Sequence, residues 1–129
     1  MKWAEFPQNM MSAMATAAVL LCPGWAAADT ATGDPARGKD LYQSCTGCHS
    51  LDENDISPRH RGVVGRPSAS LADYAYSAAL KASHLTWDQA TLDRWLSNPS
   101  ALVPGTKMYF KIDDPQMRAD IIAYLSQVK

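Results

Sequence analysis

Three kinds of apolar pattern run along this chain. Met10 to Leu21 is a continuous Ala- and Met-rich run. Near the other end, Met117, Ile121, Tyr124, Leu125 and Val128 recur at spacings of three and four, one apolar stripe that predicts a helix opened by Asp114-Pro115. Asp113 and Asp114 at its start and Lys129 at its end suit the helix dipole. Shorter amphipathic segments lie between. Asp34-Pro35 supplies an N-cap and a first helical residue, predicting a helix to about Thr46. Gly38 inside it costs roughly 1 kcal/mol against Ala, which implies close approach of another backbone. A short helix is predicted from about Ala72 to Lys81. Thr86-Trp87-Asp88-Gln89 fits a capping box, with Thr86 as cap and Gln89 reaching back. The helix behind it carries Ala90, Leu92, Trp95 and Leu96 and stops at Asn98-Pro99.

The stretches Ser50 to Leu71 and Ser100 to Asp114 lack a period and are rich in turn residues, so both read as loops. No segment reads as a strand. The prediction is therefore an all-α domain of about four to five helices with loops long for its size. Such a small domain has a modest core, and a large apolar cofactor in the middle would explain how the loops stay ordered.

The N-terminal run, about 12 residues, is too short for a hydrocarbon core that needs roughly 20. Lys2 precedes it, Pro23-Gly24 breaks it, and Ala26-Ala27-Ala28 offers a small-residue cleavage site. This predicts a signal peptide over residues 1–28 and one mature domain over 29–129, with an uncleaved segment acting as a loose membrane anchor as the less favoured alternative. Cys22 follows the bulky Leu21, which disfavours lipid acylation and leaves a passive apolar residue in the leader. At 129 residues one domain is expected, and 47% hydrophobic against 19% charged residues excludes disorder. The net charge of −1 lacks the basic excess that nucleic-acid binding requires.

Cys45-Thr46-Gly47-Cys48-His49 is the C-x-x-C-H haem-attachment pattern. Two thiols about one helical turn apart can add to the two vinyl groups on one porphyrin edge, and the adjacent imidazole is held beneath the iron. A thioredoxin-type pair would want strands alternating with helices. A tetrahedral zinc site would want four ligands, and only His60 and His84 remain, without paired spacing. For the second axial position Met108 is the candidate, carried by the rigid turn Pro104-Gly105-Thr106-Lys107-Met108. The other methionines lie in the N-terminal segment or, for Met117, on a helix stripe.

Taken together, the chain resembles the class I c-type cytochromes, mitochondrial-type cytochrome c and its soluble bacterial relatives. The resemblance spans roughly Arg37 to Val128. It rests on Gly38 and Leu41-Tyr42 before the Cys45–His49 motif, Pro58, Gly62-Val63-Val64-Gly65-Arg66 and Tyr76. It continues through Leu85-Thr86-Trp87, Leu96, Asn98-Pro99, Pro104 to Met108, and Arg118 to Leu125. It implies a small cytochrome c fold around one covalent haem c, with thioethers from Cys45 and Cys48 and iron bound by His49 and Met108. The Pro58 carbonyl would accept the other ring N–H of His49. Arg66, Tyr76, Trp87 and Thr106 would surround the propionates, Trp95 would line the cavity near Met108, and Gly38 and Tyr42 would meet the C-terminal helix near Ile121 and Tyr124.

Several positions depart from the family pattern. His60 replaces a usual leucine, which either alters the haem surroundings or marks a rearranged loop. Ser57 and Leu80 replace a usual glycine and asparagine, and Trp95 a tyrosine. Ser44, Ser100 and Ala101 stand where lysines are common, leaving Lys39, Lys81, Lys107, Lys111 and Arg94 as a modest basic face. The implied function is a monomeric, soluble periplasmic single-electron carrier, not an enzyme. Its partners would be transient redox proteins, a membrane-bound donor and a terminal acceptor, with no nucleic acid. Two alternatives are a haem-based ligand sensor or weak peroxidase, should Met108 be labile, and a cytochrome subunit of a larger redox complex.

Overall fold

The structure, a computed structural model, describes residues 31–129. The predicted signal peptide and its cleavage point lie outside the described residues. Asp34 opens the first helix as its sequence predicts: its carboxylate accepts from the backbone N–H of Ala36 at 2.9 Å and of Arg37 at 3.3 Å. Helix α1 spans Pro35–Leu41, and the chain then tightens into a 3₁₀ turn at Tyr42–Cys45. The single helix expected to about Thr46 thus changes pitch near its middle. Ser44 Oγ donates to the Leu41 carbonyl and Thr46 Oγ1 to the Gln43 carbonyl, each at 2.8 Å. These bonds reach back three residues and accompany the tighter winding.

Four more helices follow: α2 Ala78–Ser83, α3 Gln89–Ser97, α4 Pro99–Leu102 and α5 Pro115–Gln127. Three differ from expectation for identifiable reasons. Helix α2 begins six residues later than predicted, capped by Ser77. The segment before it is tied elsewhere: Tyr74 donates its hydroxyl to the Ile56 carbonyl at 2.9 Å, and Arg59 pairs with Asp73 at 2.6 Å. Helix α3 is capped by Asp88, whose carboxylate accepts from Thr91 N–H at 2.7 Å, and not by Thr86. Thr86 instead forms an isolated antiparallel bridge with Pro67, and Trp87 N–H donates to the Arg66 carbonyl at 2.9 Å, so this segment stays extended. Helix α4 falls in the predicted loop because Asn98, which ends α3, also caps a new turn through Ala101 N–H at 3.1 Å.

The core is framed by α1, α3 and α5. Buried Leu92, Trp95 and Leu96 come from α3, and Ile121, Ile122 and Leu125 from α5, with Tyr42, Val63, Leu80, Trp87, Val103 and Ile112 completing it. Helix α1 crosses α5 at Gly38, where an added Cβ would sit 1.9 Å from the Asp120 carbonyl oxygen and 3.0 Å from Tyr124 Cβ. This is the close approach the sequence implied. The Tyr42 ring meets Tyr124 at 5.4 Å between centroids. Beside the crossing, the buried Asp120 carboxylate accepts from the backbone N–H of Asp34, from the Arg37 guanidinium and from Gln116. The Arg37 hydrogen bond is the main reason its carboxyl lies well below the usual range. Among the described residues there is no strand beyond the one bridge, and no helix is long and apolar enough to cross a membrane.

Candidate functional site

Between the Cys45–His49 segment, the loops and the inner faces of α3 and α5 lies a cavity of about 460 Å³. All ten residues singled out from the sequence line it: Cys45, Cys48, His49, Pro58, Arg66, Tyr76, Trp87, Trp95, Thr106 and Met108. The 3₁₀ turn delivers the motif. Its backbone curls so that Cys48 N–H (3.1 Å) and His49 N–H (2.9 Å) both donate to the Cys45 carbonyl. Cys45 is half-buried, Cys48 is exposed, and neither is in a disulfide. Burial pushes the Cys45 thiol up, with Ser44 acting weakly in the other direction.

His49 is held by one bond. Its Nδ1 lies 2.7 Å from the Pro58 carbonyl, so Nδ1–H is the donor and the Nε2 lone pair is left for a metal. Burial lowers the pKa of the ring and the Pro58 bond opposes that. A neutral imidazole is the ligating form. The His60 ring stacks on His49, centroids 3.9 Å apart and planes at 22°, with its Nδ1 3.0 Å from the Tyr42 hydroxyl. Of the two sequence expectations for His60, the loop is not rearranged to expose it: His60 lines the cavity. Burial first, then the nearby His49 and Arg66, pushes its pKa down to about 3.

The Met108 segment is fixed by a turn. Gly105 takes φ +89°, a conformation that favours glycine, and Thr106 N–H closes the turn on the Val103 carbonyl at 3.1 Å. Thr106 is buried, and its hydroxyl accepts from Met108 N–H at 3.4 Å. Trp95 Nε1–H donates to Met108 Sδ at 3.1 Å. The indole N–H thus reaches the sulfur from a position where a tyrosine is usual. Trp87 packs edge-on against Trp95 at 5.0 Å between centroids.

Arg66 is half-buried on the cavity wall. Its guanidinium donates to the carbonyls of Arg59 (2.9 Å) and Arg61 (3.1 Å), and no carboxylate pairs with it among the described residues. Burial lowers its pKa, with Tyr76 opposing. A cation so placed suits a carboxylate-bearing ligand.

The donor set and the lining fit a haem: two thiols for its vinyl groups, an imidazole Nε2 and a thioether for iron, a cation for its acid groups, and walls of Val, Leu, Ile and Trp. The rival uses of the pair fare worse. Among the described residues no three His, Cys, Asp or Glu side chains converge as a metal site, and strands do not alternate with helices. Sequence reasoning did not single out the rim, where Ile56 (70% exposed), Tyr109 (77%) and Phe110 (49%) flank the opening. Bulky apolar residues in otherwise polar loops were the available signal.

The family model described as cytochrome c matches residues 35–129. The chain is 44% identical over 106 residues to cytochrome c2 of Rhodomicrobium vannielii, covering 79% of this chain and 85% of the relative. It is 39% identical over 123 residues to cytochrome c-554 of Methylosinus trichosporium, covering 92% and 91%. Among solved structures, cytochrome cH from Methylobacterium extorquens superposes with a TM-score of 0.71 at 49% identity, covering 73% of this chain and 98% of that one.

Proposed function

The chain belongs to the cytochrome c family, and from that premise we propose that it is a periplasmic single-electron carrier whose haem iron is bound by His49 and Met108. Members of the family carry electrons and are not enzymes, and their haem c is covalent, here through Cys45 and Cys48. The observation that carries the finer reading is the convergence on one cavity of a His49 ring with Nε2 free and a Met108 sulfur oriented by Trp95.

Bound haem supplies the redox couple, a single electron on iron. The chain's own residues do the rest. Pro58 fixes the His49 tautomer and raises its basicity. The Gly105 turn and Trp95 hold the thioether in place. His49 and Met108 together would hold the iron, a ligand pair that would favour a raised potential and leave substrates no place on the metal. Neither remaining histidine is paired with Met108: His60 stacks on His49, and His84 caps the end of α2 and does not line the cavity. This weighs against the sensor and peroxidase alternatives. The exposed Ile56, Tyr109 and Phe110 line the cavity with Lys107 and the exposed Cys48. Such a rim suits brief encounters with a membrane-bound donor and a terminal acceptor through a small interface, and we read the protein as a monomer. The predicted signal peptide supports the periplasmic assignment.

Absorption spectra of the purified holoprotein in both oxidation states test the ligation. We expect a low-spin oxidised form with the weak methionine–iron charge-transfer band. A Met108→Ala variant loses that band, becomes high-spin or takes up water, and binds external imidazole readily. Unchanged spectra in Met108→Ala would refute the assignment. A gentler variant, Trp95→Phe, keeps an aromatic ring and removes the N–H donor. A net hydrogen bond of about 1 kcal/mol predicts roughly five-fold tighter binding of imidazole competing for the Met108 position, measured by optical titration.

A further inference from the structure

His60 is fastened far more firmly than packing alone would need. Its backbone N–H donates to the Ser50 carbonyl at 3.0 Å, and its carbonyl accepts from Val63 N–H at 2.9 Å. The residues on either side, Arg59 and Arg61, have their carbonyls clamped by the two arms of the Arg66 guanidinium. Arg61 N–H donates to the Leu51 carbonyl at 2.8 Å. The ring is fixed in turn by Tyr42, which is itself buried and packed on Tyr124. All of this presses one imidazole face against His49 at 3.9 Å.

We propose that His60, oriented by the Tyr42 hydroxyl, is a positioning residue for the iron ligand His49 and sets both its ring orientation and the reduction potential of the haem. This rests on the reading that His49 is the axial ligand. The Pro58 bond fixes one point of the His49 ring and still leaves rocking about that bond. A parallel ring at stacking distance removes that freedom. An imidazole is also more polar than an aliphatic side chain, so its presence beside the ligand favours the oxidised, more highly charged state. Tyr42 acts only through His60, because its hydroxyl meets His60 and not His49.

The test compares the holoprotein with His60→Leu, Tyr42→Phe and the double variant. Two readouts are taken at fixed pH: the potential by spectroelectrochemical titration, and the hyperfine-shifted haem-methyl and His49 ring signals of the oxidised protein by proton NMR. His60→Leu is expected to raise the potential and redistribute the haem-methyl shifts. Tyr42→Phe should alter both readouts in the native background and add nothing in the His60→Leu background. A His60→Leu variant with changed thermal stability but unchanged potential and shifts would reduce His60 to packing and overturn the inference. Equal effects of Tyr42→Phe in both backgrounds would do the same. If His60→Leu does not mature, Tyr42→Phe alone decides, and unchanged shifts overturn the inference. Absence of hyperfine-shifted His49 signals from the unsubstituted protein would overturn the ligation reading and this inference with it, whereas failure of the inference alone leaves those signals in place.

Discussion

Gly38→Val is expected to prevent α1 from docking on α5, and the milder Gly38→Ala to lower the melting temperature by about 12 °C. Two effects compete at this position. Replacing a helical glycine by alanine improves helix propensity by about 1 kcal/mol, so an exposed site would be stabilised. Here the new methyl would lie 1.9 Å from the Asp120 carbonyl oxygen. That atom belongs to the backbone of α5 and cannot swing aside as a side chain could. Relief requires the helices to separate by more than an ångström. Overpacking on this scale costs about 3 kcal/mol, which exceeds the propensity gain. Separation would also strip partners from the buried Asp120 carboxylate, which accepts from Asp34, Arg37 and Gln116. Uncompensated burial of a charge is costly. Valine adds two more groups in the same place. Thermal unfolding followed by circular dichroism on the holoprotein decides the matter, and an unchanged or raised midpoint for Gly38→Ala would show that the crossing is looser than its geometry.

The same crossing shows what could be read from the residues alone. A glycine in a helical run, with no turn to explain it, signalled a second backbone, and the resemblance to class I c-type cytochromes named the C-terminal helix as its partner. Helix starts marked by Asp-Pro were legible because a cap and a fixed φ act within three residues. Thr86 misled for the opposite reason. Its capping-box spacing is local, but Trp87 is bonded to Arg66, some twenty residues earlier, and that long-range pairing keeps Thr86 extended and hands the cap to Asp88. The delay of α2 has the same origin in the ties of Asp73 and Tyr74 to the Asn54–Arg59 segment. At the site, the C-x-x-C-H spacing and the Pro-Gly turn pointed to Cys45, Cys48, His49 and Met108, while the other lining residues came from the family resemblance. The His49–His60 stack was not legible, since nothing in the sequence distinguishes an imidazole turned inward from one on an exposed loop.

A Cys45→Ser, Cys48→Ser double variant is expected to yield protein whose haem, if bound at all, is removed by acidified organic solvent, and whose haem-free form has no cooperative unfolding transition. The first half follows from chemistry, since serine hydroxyls do not form thioethers. Its measurement is the intact mass after extraction. The second half follows from where the core sits. Val63, Leu80, Trp87, Leu92, Trp95, Leu96, Ile121 and Leu125, eight of the twelve buried apolar residues among those described, are also walls of the cavity. Leaving about 460 Å³ unfilled at about 24 cal/mol per Å³ would cost up to ~11 kcal/mol. That is as large as the ~5–15 kcal/mol that stabilises a whole domain. The cavity opens to solvent on one side, so the figure is an upper bound, yet half of it suffices to unfold a marginal protein. Single variants separate attachment from folding: with Cys48→Ser or Cys45→Ser, one thioether remains, the haem stays on the denatured chain, and the melting transition stays cooperative. A haem-free double variant that melted sharply, with native near-ultraviolet dichroism, would mean that the polypeptide closes its own core and that the cofactor is bound by a finished fold.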